Sequence, residues 1–441
     1  MQNRVSRRNF LKTSTTATAL AFAAPVVFRQ KAFGGDSPNE RFVIAGIGLG
    51  NMGRGDLSGN ARFGDIAALC DVDEEHANAA NNMPQVGGKA DTYKDYRKVL
   101  DRKDIDVVSI ATVDHWHVKI AIEALMAGKH VFCQKPLTFT LEEAQLVRKA
   151  CQKYDRVFQV GTQQRDSKAL FLRAVRMVQH GLLGPIKNIV TGVGPYGLRE
   201  PFAVSEPPAT LDWDFWQGQV EARPYRSGRC HRTFRYWYEY AGGTMTDWGA
   251  HHVDIAQWAI GADKFGIGPT EIDGTDAKHP VEFQDGYPTL DDRCNASNDF
   301  DVVCKFGTGP TLHVTSRGDN GILIEGEKGR IFVNRERITG KPIEEQWDKN
   351  LPEEDYVGLF KGKPVEGHKA NFYRCIREGG LPVSDVFSHV QTMNTCHLCV
   401  IAARLDRVIK WDPQKETIVG DDQAQAFFGR EQRKGFELPK L

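Results

Sequence analysis

The chain has 441 residues, 41% of them hydrophobic and 10% aromatic, enough to bury the cores of two domains. Lys+Arg and Asp+Glu both number 57, so no basic field exists to draw nucleic acid or an anionic membrane. Beyond the N-terminus no apolar run approaches the roughly 20 residues of a membrane span.

Residues 1–35 predict a signal peptide and linker. Ser6-Arg7-Arg8-Asn9-Phe10-Leu11-Lys12 precedes a modestly apolar stretch with small residues near Ala21-Phe22-Ala23. The paired arginines with Phe-Leu-Lys match a twin-arginine leader, which exports proteins already folded and predicts a periplasmic location. No cysteine lies there to carry a lipid anchor, and no integral span is expected once the signal is removed.

Residues 36–160 alternate strand and helix and predict a doubly wound parallel sheet, a Rossmann domain. RFVIAGI breaks into Gly48-x-Gly50-x-x-Gly53, a loop whose backbone can floor a pyrophosphate at a helix N-terminus, with Asn51 and Met52 in the same turn. A second apolar strand, DIAALC, ends at Asp71, where the fold wants an acid for the ribose hydroxyls. Asp73, Glu74 and Glu75 follow without an Arg or Lys, so NAD is expected rather than its 2′-phosphorylated form. Thr112-Val113-Asp114-His115-Trp116-His117 follows the strand DVVSIA, and Cys133-Gln134-Lys135-Pro136 follows HVF. Both stand at strand carboxyl ends, where such sheets bind ligands, so Thr112, His117, Gln134 and Lys135 are candidates to face the cofactor.

Residues 161–441 predict an α+β domain with an open, mainly antiparallel sheet, for substrate binding and oligomerisation. A helix leads to a strand, a long Pro-, Arg- and Trp-rich loop over 194–243, a helix near 247–260, then a run of strands. On that helix Asp247 and His251 stand at i and i+4, one face of one turn, where a carboxylate would orient a histidine base. Thr244-x-x-Asp247 reads equally well as a capping box, and a metal set of His251, His252 and Asp254 is a lesser alternative. Cys396-x-x-Cys399, the sole such pair among nine cysteines, reads as part of a buried helix.

Together these motifs resemble the glucose–fructose oxidoreductase/inositol dehydrogenase (Gfo/Idh/MocA) family over nearly everything after the leader. The family's glycine loop falls on Gly48, Gly50 and Gly53. Its Thr-Pro-Asn stretch ending in His falls on Thr112 to His117, with Val113 and Asp114 replacing Pro and Asn. Its Glu-Lys-Pro falls on Gln134-Lys135-Pro136, and its Asp/His helix on Asp247 and His251. Weaker likeness extends to Gly161–Arg165.

The resemblance implies reversible hydride transfer between NAD and a secondary hydroxyl of a sugar, polyol or derivative, with Lys135, Asp247 and His251 catalytic and no resident metal. His251 oriented by Asp247 would be the base and Lys135 would hold the oxygen, or Lys135 the base and His251 a relay. Arg165, Tyr225, Arg229, His231, Trp237 and His252 are candidates for sugar contacts. A homo-oligomer, dimer or tetramer, is expected from the family. Export implies a cofactor carried along and kept, hence ping-pong or redox-neutral glycosidase chemistry as alternatives to simple dehydrogenation. A non-catalytic sugar-binding protein is a further alternative.

Overall fold

The computed structural model describes residues 41–197 and 200–441; the expected leader lies outside them. Six strands form a parallel sheet, β1 (Phe42–Ile47), β2 (Gly64–Cys70), β3 (Asp91–Tyr93), β4 (Val107–Ile110), β5 (His130–Cys133) and β6 (Phe158–Val160), in the order 3-2-1-4-5-6. Their near-continuous apolar sequences follow from burial on both faces. Ala45, Ile47, Val108 and Ile110 enter one core, whereas Ile44, Leu69, Val107 and Phe132 enter the core on the other side.

The chain reverses its direction of winding between β1 and β4, and that switch point opens a crevice at the strand carboxyl ends. The β1 turn leads into helix α1 (Asn51–Asn60), with Gly50 as its N-cap. Gly48 has φ +81°, and a Cβ there would stand 2.5 Å from the amide of Thr112, so the glycine loop and the loop after β4 touch backbone to backbone. Helix α2 (Glu74–Asn81) follows β2, capped by Asp73, whose side chain accepts from the Glu75 amide. Helix α3 (His117–Met126) ends before Gly128, which takes φ +79°.

The second part is built on a mixed ten-stranded sheet. Strand β7 (Ile186–Gly192) pairs parallel to Thr311–Thr315 and antiparallel to Gly321–Gly326; the other pairings in this sheet are antiparallel, as expected. The helix expected near 247–260 is broken: Thr244–Asp247 is one short turn, Trp248 separates it, and helix α4 (Gly249–Ala259) follows. Helix α5 (Val386–Leu405) carries Cys396 and Cys399 fully buried. Among the described residues no helix is long and apolar enough to cross a membrane.

The glycine loop supplies a direct test. A Cβ on Gly53 would stand 1.9 Å from the Gly48 carbonyl oxygen, whereas one on Gly55 meets nothing within 4 Å. Gly53→Ala should therefore cost about 1–3 kcal/mol and lower the bound nucleotide content. Gly55→Ala, in the same helix, should leave stability unchanged or raise it by roughly 0.5–1 kcal/mol. Thermal melts and nucleotide absorbance of the purified variants check both.

Candidate active site

A cleft of about 390 Å³ runs along the strand carboxyl ends from Asp71 and His76 to Lys135 and Asp247. Gly48, Gly50, Asn51 and Met52 floor it, and Tyr96, Trp116, Phe215 and Trp216 wall it. The residues present fit a dinucleotide. Gly50 exposes its backbone, with only the His76 ring edge, 3.9 Å away, near a would-be Cβ, and the ten-residue α1 opens there with free amides. Thr112 Oγ1 is buried beside the cleft with no partner.

Asp71 anchors this cradle as well as facing it. Its Oδ2 accepts from the Leu49 amide at 2.6 Å and its Oδ1 from the Asp73 amide at 2.9 Å. Each carboxylate oxygen keeps a second lone pair, so bracing the loop leaves capacity for hydroxyl donors.

At the far end Lys135 Nζ donates to Asp247 Oδ1 at 2.6 Å and to the Asp247 carbonyl at 2.8 Å. The Lys135–Pro136 peptide is cis. Arg235 Nε lies 3.5 Å from the other Asp247 oxygen. Burial pushes the Asp247 carboxyl up, but Lys135 and Arg235 more than offset it and hold it below the ordinary carboxylate value. Asp114 lines the same cleft. Burial, with the Asp247 charge adding, pushes its carboxyl up to about 7. The site thus holds a lysine locked to one carboxylate and a second carboxyl that titrates near neutrality.

Other expected residues fall elsewhere. Asp247 does not pair with His251. The helix is interrupted at Trp248, where the His251 amide bonds to the Trp248 carbonyl, and Asp247 spends its oxygens on Lys135 and Arg235. His251 is buried off the cleft lining, its Nδ1 without a partner; burial, with the Lys135 charge adding, holds its pKa well below the usual value. The capping reading fails as well, because Gly243 is the N-cap and Asp247 ends the turn.

His252 stacks on Trp248 and meets Asn320 Oδ1 at 2.9 Å, while Arg165 binds Asp254 bidentately, so His251, His252 and Asp254 share no metal. Arg165 is itself 1% exposed, under the Trp258 ring, and is not among the residues lining the cleft. Arg229 is buried over Trp237 with Glu239 as its partner, and Trp237 donates to the Gly228 carbonyl. Tyr225 packs edge-on to Trp213.

His117 lies behind the cleft. Its ring nitrogens face the carbonyls of Pro136 and Thr112, tying the Lys135 turn to the loop after β4. Burial pushes its pKa down to about 4. Gln134 does line the cleft, but its amide donates to Asp56 Oδ2 at 2.7 Å; the carboxylate missing at position 134 stands on α1 instead. His231 lines the opposite end, beside Asp73.

Comparison with known proteins agrees with this architecture. The model for the NAD-binding Rossmann fold of the Gfo/Idh/MocA oxidoreductases matches residues 41–162, and that for their C-terminal α/β domain matches residues 172–438. The chain is 27% identical over 333 residues to a levoglucosan dehydrogenase of Pseudarthrobacter phenanthrenivorans, covering 66% of this chain and 76% of that one. It is 33% identical over 208 residues to glycosyl hydrolase family 109 protein 2 of Shewanella sp. (strain ANA-3), covering 41% of this chain and 44% of that one. A solved levoglucosan dehydrogenase in complex with NADH and levoglucosan superposes with a TM-score of 0.59 at 21% identity, over 84% of this chain and 99% of that one.

Because Arg165 is a buried partner rather than a substrate ligand, Arg165→Met should act on stability. Leaving Asp254 buried and unpaired costs about 3–5 kcal/mol. Denaturant unfolding of the single variant and of the double variant with Asp254→Leu, which removes the orphaned charge, should show partial recovery in the double.

Proposed function

The chain belongs to the Gfo/Idh/MocA oxidoreductase family, and from that premise we propose that it is an NAD-dependent oxidoreductase acting on a secondary hydroxyl of a sugar, polyol or sugar derivative. The observation that carries this reading is the Lys135–Asp247 pair, held at 2.6 Å in the same cleft as the glycine loop and Asp71. NAD, when bound, supplies the acceptor for the carbinol hydride. Gly48, Gly50 and the α1 amides would hold its phosphates, Asp71 a ribose, and Thr112 and Gln134 its far end.

The chain's own residues handle the proton. Lys135 binds the substrate oxygen and stabilises its developing charge, and Asp247 with Arg235 fixes the direction of its ammonium head. Asp114, titrating near neutrality in the same enclosure, takes up the proton released from the hydroxyl and returns it in the reverse direction. His251 is a neutral neighbour with an unsatisfied nitrogen, suited to relaying rather than storing a proton.

The match of residues 6–12 to a twin-arginine leader supports reading it as a periplasmic enzyme that carries its cofactor through export and keeps it. Likeness to a glycosyl hydrolase family 109 protein favours one alternative within this chemistry, in which oxidation is transient, a glycosidic group is eliminated, and the hydride returns.

Three measurements test the reading. Purified protein mixed with a sugar and polyol panel that includes levoglucosan should develop reduced-nicotinamide absorbance, or cleave a nitrophenyl glycoside with no net reduction if the cycle is redox-neutral. Lys135→Ala should lower kcat by about 10²–10⁴-fold while native mass spectrometry finds the nucleotide still bound; turnover near wild type would sink the proposal. In the oxidative direction kcat should rise as pH climbs through about 7, where Asp114 ionises, and Asp114→Asn should remove that limb.

A further inference from the structure

Across the sheet from Lys135, a second group of side chains converges at the rim of the cleft. Asp73 caps α2 with one oxygen, and its other oxygen lies 3.2 Å from His231 Nε2. His76 follows on the same face of α2, and its ring centroid is 4.6 Å from that of His231. One donor atom from each of the three lies within 4.8 Å of the others. His231 arrives from the loop of the second part and takes φ +51°, a left-handed conformation that few residues other than glycine adopt without support.

We propose that Asp73, His76 and His231 form a binding site for a divalent d-block cation of the zinc class. Two imidazoles with one carboxylate suit zinc, cobalt or nickel, whereas calcium and magnesium favour all-oxygen sets. Bonds of about 2.1 Å in a tetrahedron put donor atoms roughly 3.4 Å apart, so the Asp73–His231 edge is already in place and His76 closes on it by side-chain rotation.

The surroundings suit ligation. Asp71 Oδ2 stands 3.6 Å from His76 Nδ1, placing a second carboxylate beside the group. Since His76 and His231 both line the cleft, the ion's remaining position opens into it and takes water. Such an ion would tie the β2–α2 connection to the 227–236 loop.

The test is metal content, independent of turnover. Untagged full-length protein, stripped with chelator and dialysed against Co²⁺, should retain about one equivalent by elemental mass spectrometry and show the visible absorption of four-coordinate Co²⁺, displaced by Zn²⁺. His231→Gln and His76→Gln, each confirmed folded by its melting transition, should lose that absorption and bind at least about tenfold more weakly. Substoichiometric uptake by the wild type, or equal uptake by both variants, would overturn the site. Neither result bears on the Lys135 chemistry.

Discussion

A half-buried charge pair between the two parts of the molecule organises the site. Lys135 leaves the carboxyl end of β5, and Asp247 ends a short turn of the second part. Neither is well solvated, so each depends on the other, and breaking such a pair leaves an uncompensated charge. Arg235 and Asp114 complete a set of two cations and two carboxyls. Burial above all, with the Asp247 charge adding and Arg235 and Lys135 opposing, pushes the Asp114 carboxyl up to about 7.

Polar ties behind the site hold it in place. Gln134 bonds to Asp56, and Asp56 in turn takes Lys369, which sits over the Phe132 ring. Arg165 and Asp254 stand close to His389 and Thr392 on α5. His117 fastens the turn at Pro136 to Thr112. Most of these ties join segments far apart in sequence around the Lys135–Asp247 pair. They make a rigid support from residues whose chemistry, taken one by one, looks like that of a site.

That resemblance explains what could and could not be read from the sequence. Gly48, Gly53, Asp71 and Lys135 were legible because their constraints are local: a strand end, a turn and a helix start within a few residues. The Asp247–His251 pairing was not, since it assumed an unbroken helix, and the chain breaks at Trp248. Arg165, Arg229, Trp237 and His252 carry the composition of a sugar-binding surface, yet a satisfied core arginine under an aromatic ring has the same composition. Only burial separates the two. Asp114 was visible as a replacement for Asn, but its shifted ionisation comes from burial and from the nearby Asp247 charge, both of which only the fold creates. The convergence of Asp73, His76 and His231 joins two parts of the fold and leaves no trace in local spacing.

The Asp71 corner shows how one carboxylate can serve loop geometry and ligand choice together. Its two oxygens take the Leu49 and Asp73 amides, so the acid that would meet a ribose also fixes the glycine loop that would meet the phosphates. Asp73 stands beside it, and Lys94, which also lines the cleft, is engaged by Glu74 at 2.6 Å. A 2′-phosphate there would face carboxylates with that lysine already paired, and Coulomb repulsion in a partly desolvated corner is strong. The preference for NAD is therefore a property of the braced loop as a whole. Relieving it would take more than adding a cation, because removing Asp71 would also release Leu49 and loosen the floor on which either cofactor must rest.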